Sequence, residues 1–192
     1  MDGLEVLVER SRLEEYYDIM NDIQEEFNLI WEHEQYTKIV YFNINSYVAI
    51  TTSGKIKQKG QFVEKPELSN SVDELIIAKA LTAYFIHDTP VKEFINNHTI
   101  IEDFCISKKV SKEFSVYWNG EKQQNLNRYY VSKKGAYLYY SKDDKKMNNL
   151  LKGFSVQLLN VLPDSFPTDV HKDYYIGKTL DLVNPFLQQG LF

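Results

Sequence analysis

Apolar residues recur at helical spacing through the opening of the chain: Leu4, Leu7 and Val8, then Leu13, Tyr16, Tyr17, Met20, Ile23 and Phe27, with Asp and Glu opposite. The spacing predicts a helix over about 4–29, with Ser11 as the place where it would break. The pattern then changes to β-branched and aromatic residues from Lys38 to Ile50, a turn at Thr52-Ser53-Gly54, and a polar return strand from Lys55 to Phe62. This is a β-hairpin. Side chains repeat every two residues along a strand, so Lys55, Lys57 and Lys59 fall on one face of the return strand. After Lys65-Pro66, Ser71 and Glu74 have capping-box spacing at the head of a helix running to about His87. Pro90 opens a second helix over about 90–98, and Thr99 heads a third, short one over 99–104. Strands follow over 114–118, 127–132 and 136–140, with turns at Asn119-Gly120 and Lys133-Lys134-Gly135. Lys142–Lys146 is a charged loop, Phe154–Leu159 a further strand, and Tyr174–Leu187 a final helix. The fold class is α+β.

Composition changes this picture little, but charge does. Hydrophobic residues make up 43% of the 192 and charged residues 26%, values of a chain that buries a core rather than a disordered one. Tyrosine (14) and phenylalanine (11) are abundant, a bias that AT-rich coding explains without any functional role. The net charge of −5 conceals a segregation. Residues 1–36 hold 11 acids against 2 bases, whereas 37–63 hold four lysines and no acid. Acids lead again, 8 to 3, over 64–104, and bases lead 11 to 4 over 105–160. Screening over about 8 Å makes a remote acidic helix nearly invisible to a phosphate, so two basic segments are compatible with a nucleic-acid surface despite the net charge. Mixed solvated faces are the competing explanation.

Several chemistries are absent from the sequence. There is no Gly-rich phosphate loop, no nucleophile elbow and no His-Glu-x-x-His. His33, His87, His98 and His171 are scattered, and the adjacent acids Glu102-Asp103 and Asp143-Asp144 would point to opposite faces of a strand. The single cysteine, Cys105, excludes a disulfide framework and follows Phe104 in an apolar run, which reads as core. No run approaches the roughly 18 apolar residues of a membrane helix, and Met-Asp-Gly-Leu-Glu is no signal peptide, so the expected location is the cytoplasm, with no membrane partner.

Several segments, in order, resemble the C-terminal part of the palm and the thumb of bacteriophage-type family B DNA polymerases. Tyr41–Ile50 followed by Gly54-Lys-Ile-Lys-Gln-Lys-Gly60 is similar to the family's strand pair ending in Lys-x-Lys-Gly. Ser69–Ala80, continuing through Ala83-Tyr84-Phe85 to Thr89-Pro90-Val91 and Ile95, is similar to the helix pair that begins the thumb. Ile101–Phe104 and Asn127-Arg-Tyr-Tyr-Val-Ser-Lys-Lys-Gly135 come next, as they do in the family. The resemblance extends over about residues 10–185. It implies a palm part over 1–63 (long helix plus hairpin), a thumb-like part over 64–187, and a tail over 188–192. The family's metal-binding aspartate motif and its Tyr-x-Asp-Thr-Asp-Ser motif are missing, as are the nucleotide-selecting helix and the exonuclease carboxylates. Phosphoryl transfer needs acidic ligands to hold Mg²⁺ on the incoming phosphates. The resemblance therefore implies the duplex-holding portion of such an enzyme during DNA replication, either one piece of a split polymerase or a fragment of a whole one. No cofactor is expected in this chain, with Mg²⁺ belonging to the assembled polymerase. The expected partners are primer–template duplex and a chain carrying the catalytic palm motifs; a free-standing nucleic-acid-binding or regulatory module is the alternative.

For such a role the implied DNA contacts are Tyr47, Lys55, Lys57, Lys59 and Gly60 on the hairpin, and Arg128, Lys133 and Lys134 on the thumb, with Lys142, Lys145 and Lys146 in the loop beyond. Gly60 would let the main chain approach closely. The lysines of the return strand have a second explanation, protection of an exposed strand edge. The tail Gln188-Gln-Gly-Leu-Phe192 is similar to the short peptide that binds bacterial sliding clamps, with Gln188, Leu191 and Phe192 as its anchors. The clamp is thus a further partner of the resemblance, unless Leu191 and Phe192 fold back onto the domain.

Overall fold

The computed structural model describes residues 5–43, 45–64, 73–143 and 147–188. They form two compact units, Met1–Gln35 and Tyr36–Phe192. The boundary expected at 63/64 falls inside the second unit, where Phe62 packs edge-on against Phe85 with ring centroids 6.1 Å apart.

The first unit contains one α-helix, α1 (Leu13–Phe27), preceded by a 3₁₀ turn at Arg10–Arg12. The expected helix over 4–29 is therefore shorter at its start. Residues 5–9 are not helical, and Leu7 is fully exposed at 103%. A helical turn there would gain no buried face, and short helices draw most of their stability from such burial. The helix ends at Asn28, which takes the left-handed conformation (φ 50°) and donates its N–H to the Gln24 carbonyl. The chain then turns back along α1. Trp31 N–H donates to Gln24 Oε1 at 3.2 Å, His33 stands edge-on to Tyr16 and Tyr17, and Gln35 Nε2 donates to Tyr17 Oη at 2.8 Å.

Among its described residues the second unit is α+β, with three small antiparallel sheets and three α-helices. The first sheet has the order β1 (Tyr36–Asn43), β2 (Ser46–Thr51), β3 (Ile56–Lys59). The stretch from Lys38 to Ile50, expected as one strand, is thus two strands. The break falls at Asn43, whose Oδ1 accepts the Asn45 N–H at 2.9 Å, an Asx turn. Helix α2 (Leu75–His87) covers the inner face of this sheet and pairs with α3 (Val91–Asn97) and α4 (Lys172–Gln188). The capping box expected at the head of α2 falls partly on residues that are not described. Ser71 lies outside the described residues, and Glu74 takes a left-handed conformation (φ 54°) without a side-chain cap bond. Its N–H donates instead to the Cys105 carbonyl at 2.7 Å, and its carboxylate meets Lys178 of α4. The expected helix over 99–104 is a 3₁₀ turn, Ile101–Phe104.

The second sheet has the order β10 (Val156–Leu158), β7 (Leu126–Ala136), β4 (Ile106–Lys109). β7 runs straight through Lys133-Lys134-Gly135, where a tight turn was expected. Gly135 lies against β10, and a Cβ there would sit 2.1 Å from the Val156 carbonyl oxygen. The glycine allows two backbones to approach rather than the chain to reverse. The third sheet has the order β6 (Glu121–Gln123), β5 (Ser115–Trp118), β8 (Leu138–Ser141), β9 (Asn148–Asn149). Its first hairpin turns at Asn119-Gly120, both at positive φ (50° and 79°), as a two-residue type I′ connection requires. Trp118 Nε1 donates to the Val156 carbonyl at 3.0 Å and ties the third sheet to the second. One core joins all of this, from Val48, Phe62, Phe85 and Ile95 through Phe104 to Val131, Leu138 and Tyr175.

Candidate nucleic-acid interface

Strand register places the hairpin residues. Tyr47 pairs with Tyr41 on one side and Lys59 on the other, and Ala49 pairs with Lys57. Tyr47, Lys57 and Lys59 therefore share a face, and the Tyr41 and Tyr47 rings contact each other with centroids 5.6 Å apart. The opposite face of β3 carries Gln58, whose Nε2 donates to Thr82 Oγ1 on α2 at 3.0 Å and to Glu64 Oε1 at 2.7 Å. This inward anchor fixes which way the lysines face. Lys55, just before the strand, and Lys59 are exposed, and Lys57 is half-buried.

Gly60 follows at φ 63°, and a Cβ there would lie 2.2 Å from Ser46 Oγ and 2.3 Å from the Asn45 carbonyl oxygen. The close approach that needs glycine is to the chain's own β1–β2 turn. The Gln61 N–H completes that contact by donating to Ser46 Oγ at 3.3 Å.

The thumb-side cations lie on a different sheet. Arg128 is exposed on β7, with its Nε 3.4 Å from Ser107 Oγ and its backbone N–H donated to Asn160 Oδ1. Lys133 pairs with Asp173 of α4 at 2.9 Å, an exposed ion pair that holds the Asp173 carboxyl below its usual range. Lys134 is exposed, with its N–H donated to Ser132 Oγ at 3.0 Å. Lys142 pairs with Glu113 at 2.9 Å. Lys145, Lys146, Leu191 and Phe192 lie outside the described residues, and Gln188 is the last residue of α4.

Sequence reasoning missed two features of this surface. β4 pairs Lys109 with Leu126 and Ser107 with Arg128, so Lys109 and Arg128 share a face. The signal, Ile106-Ser-Lys-Lys109, is too short and polar to announce a strand. The second feature is a buried charge cluster beneath the surface. Asp103, 4% exposed, receives Lys79 Nζ at 2.7 Å and lies 2.5 Å from His98 Nε2. Burial pushes the Asp103 carboxyl up, but hydrogen bonds from His98 and Lys79 outweigh it and hold it below the usual range. Lys79 also lines a cleft of about 450 Å³ with Gln58, Glu64, Thr82 and Phe94. Gln58 is bonded to both Glu64 and Thr82, and Lys79 to Asp103. Among the described residues no three His, Cys, Asp or Glu side chains come together to hold a metal ion. Also among them, no helix is long and apolar enough to cross a membrane.

Compared with known proteins, the chain matches no family model, no curated protein and no solved structure.

Proposed function

We propose that this chain is a duplex-gripping portion of a family B-like DNA polymerase, holding primer–template during replication while another chain supplies the catalytic carboxylates. What carries the proposal is the lysine row of β3: Lys57 and Lys59 share a face with Tyr47, because Gln58 is anchored to Thr82 on the other side. A strand with cations every second residue repeats about every 6.8 Å, close to the spacing of successive phosphates along one DNA strand, and grips without reading sequence. Arg128, Lys109 and Lys134 add exposed charge on the second sheet. Lys133, engaged with Asp173, is a weaker contributor than its charge alone implies.

The test is fluorescence anisotropy of labelled primer–template duplexes of several sequences. Lys57→Ala with Lys59→Ala should weaken binding equally for all of them and flatten the salt dependence by roughly 1–2 units of log–log slope. Affinity and salt slope unchanged by the double substitution would leave the lysines as edge protection.

A further inference from the structure

The third sheet has a face that the core does not use. Its inner side carries Val116 and Leu138, both fully buried, with Trp118 and Tyr140 packed against the same core. Directly paired residues share a face, and faces alternate along each strand. Tyr117 pairs with Lys122 of β6 on one side and with Tyr139 of β8 on the other, and Tyr139 pairs with Asn149 of β9. The row Lys122–Tyr117–Tyr139–Asn149 therefore crosses all four strands on the side away from Val116 and Leu138. Tyr137, just ahead of β8, joins it: its ring centroid lies 6.0 Å from that of Tyr139, and it is 44% exposed.

Cations stand at both ends of the row. Lys122 is exposed at the β6 edge. At the β9 edge Asn149 Oδ1 accepts the Leu151 N–H at 3.1 Å, which sets the exposed Lys152 just beyond. Among the described residues of the four strands no carboxylate lies on this face, since Glu121 pairs with Trp118 and belongs to the other. Glu113, two residues ahead of Ser115, is engaged by Lys142 at 2.9 Å. Aromatic rings between ammonium groups, with no acid among them, complement a polyanion that carries flat apolar groups. In a duplex the base faces are covered by their neighbours, whereas an unpaired strand offers them to a ring. We propose that the face built around Tyr137 and Tyr139 binds single-stranded DNA, with bases stacked on these rings and phosphates against Lys122 and Lys152. Stacking accepts every base, so the binding is tolerant of sequence. The four strands span about 14 Å, room for only a few nucleotides. The choice of DNA over RNA rests on the duplex-gripping reading above; the stacking does not, and it uses none of Tyr47, Lys57 or Lys59.

Fluorescence anisotropy of a labelled strand of about 12 thymidines, compared with an abasic strand of equal length and charge at about 50 mM salt, is the measurement. The thymidine strand should bind at least about tenfold more tightly. Tyr137→Leu with Tyr139→Leu should remove that difference, and Tyr137→Phe with Tyr139→Phe should keep it, because the rings remain. Lys122→Gln with Lys152→Gln should weaken both strands alike and flatten the salt dependence by roughly 1–2 units of log–log slope. Lys57→Ala with Lys59→Ala, which tests the duplex grip, should leave the thymidine preference intact, so either reading can fail alone. Circular dichroism checks the fold of each variant. Photocrosslinking of an iodouracil-substituted strand to the unaltered chain, mapped by mass spectrometry, should label Tyr137 or Tyr139. Equal affinity for the two strands, a folded leucine variant that keeps the preference, or crosslinks confined to other surfaces would overturn the proposal. A uridine ribo-oligomer bound more than about tenfold more tightly than the thymidine strand would overturn the assignment to DNA.

Discussion

Replacing Tyr175 by Phe removes one oxygen from the centre of the second unit and changes nothing else in shape. Tyr175 is fully buried, and its hydroxyl joins two distant parts of the chain: it accepts the Val131 N–H at 2.9 Å and donates to the Phe104 carbonyl at 2.7 Å. Burial pushes its phenol well above the usual range, so the group is a neutral donor at neutral pH. Phe keeps the ring contact with Phe104, whose centroid lies 5.1 Å away, so no cavity term enters beyond one oxygen. What remains is a buried N–H and a buried C=O, each stripped of this partner. A stranded buried group costs about 1–3 kcal/mol, which places the substitution at about 3 kcal/mol in all. With a urea slope of about 2 kcal/mol/M, the unfolding midpoint of the Tyr36–Phe192 unit should fall by about 1.5 M. Urea titration followed by far-UV circular dichroism measures it. A midpoint lowered by less than about 0.3 M would mean that the hydroxyl is not what ties β7 to the 101–104 turn.

Gly60→Ala should destabilise the hairpin by about 2–4 kcal/mol, because it adds left-handed strain to a clash with the Asn45 carbonyl; a thermal melt of the folded chain without DNA reads this directly. Asp103→Ala strands Lys79 and His98 and should cost about 3 kcal/mol near neutral pH by chemical denaturation. The folded carboxyl of Asp103 titrates below its unfolded value, so its stabilisation is present above the unfolded pKa of about 3.9 and disappears as pH falls through the folded value. Wild type and Asp103→Ala should accordingly converge in stability only under strongly acidic conditions, and a gap already closed at pH of about 6 would contradict this.

Where local chemistry alone decides structure, the sequence was enough. Asn119-Gly120 made its hairpin because few residues other than Asn and Gly tolerate two successive positive φ values, and Pro90 opened α3 because its fixed φ and missing N–H suit that position. Where another part of the chain decides, it was not. Gly135 reads as punctuation, yet its role is set by Val156, and β4 becomes a strand only because β7 lies beside it. Period-two alternation was enough to place Lys57 and Lys59 on one face, since that follows from strand geometry. The Asp103 cluster was invisible for the opposite reason: Lys79 and Asp103 are 24 positions apart, and only the packing of α2 against the 101–104 turn brings them together.

The position of α4 along the chain also has a meaning for how the second unit is made. Its helix contributes Tyr175, Ile176 and Val183 to a core whose other members begin at Val40, and its hydroxyl ties reach back 44 and 71 residues. In a chain still being synthesised, Phe42 and Phe85 lack the ring of Phe186, and Phe104 that of Tyr175, until residues 172–188 have left the ribosome. Closing such separated contacts is slow, and the open intermediate shows aromatic surface throughout. The core of the second unit is therefore completed by residues far along the chain from those that begin it, and it closes only once α4 has been made.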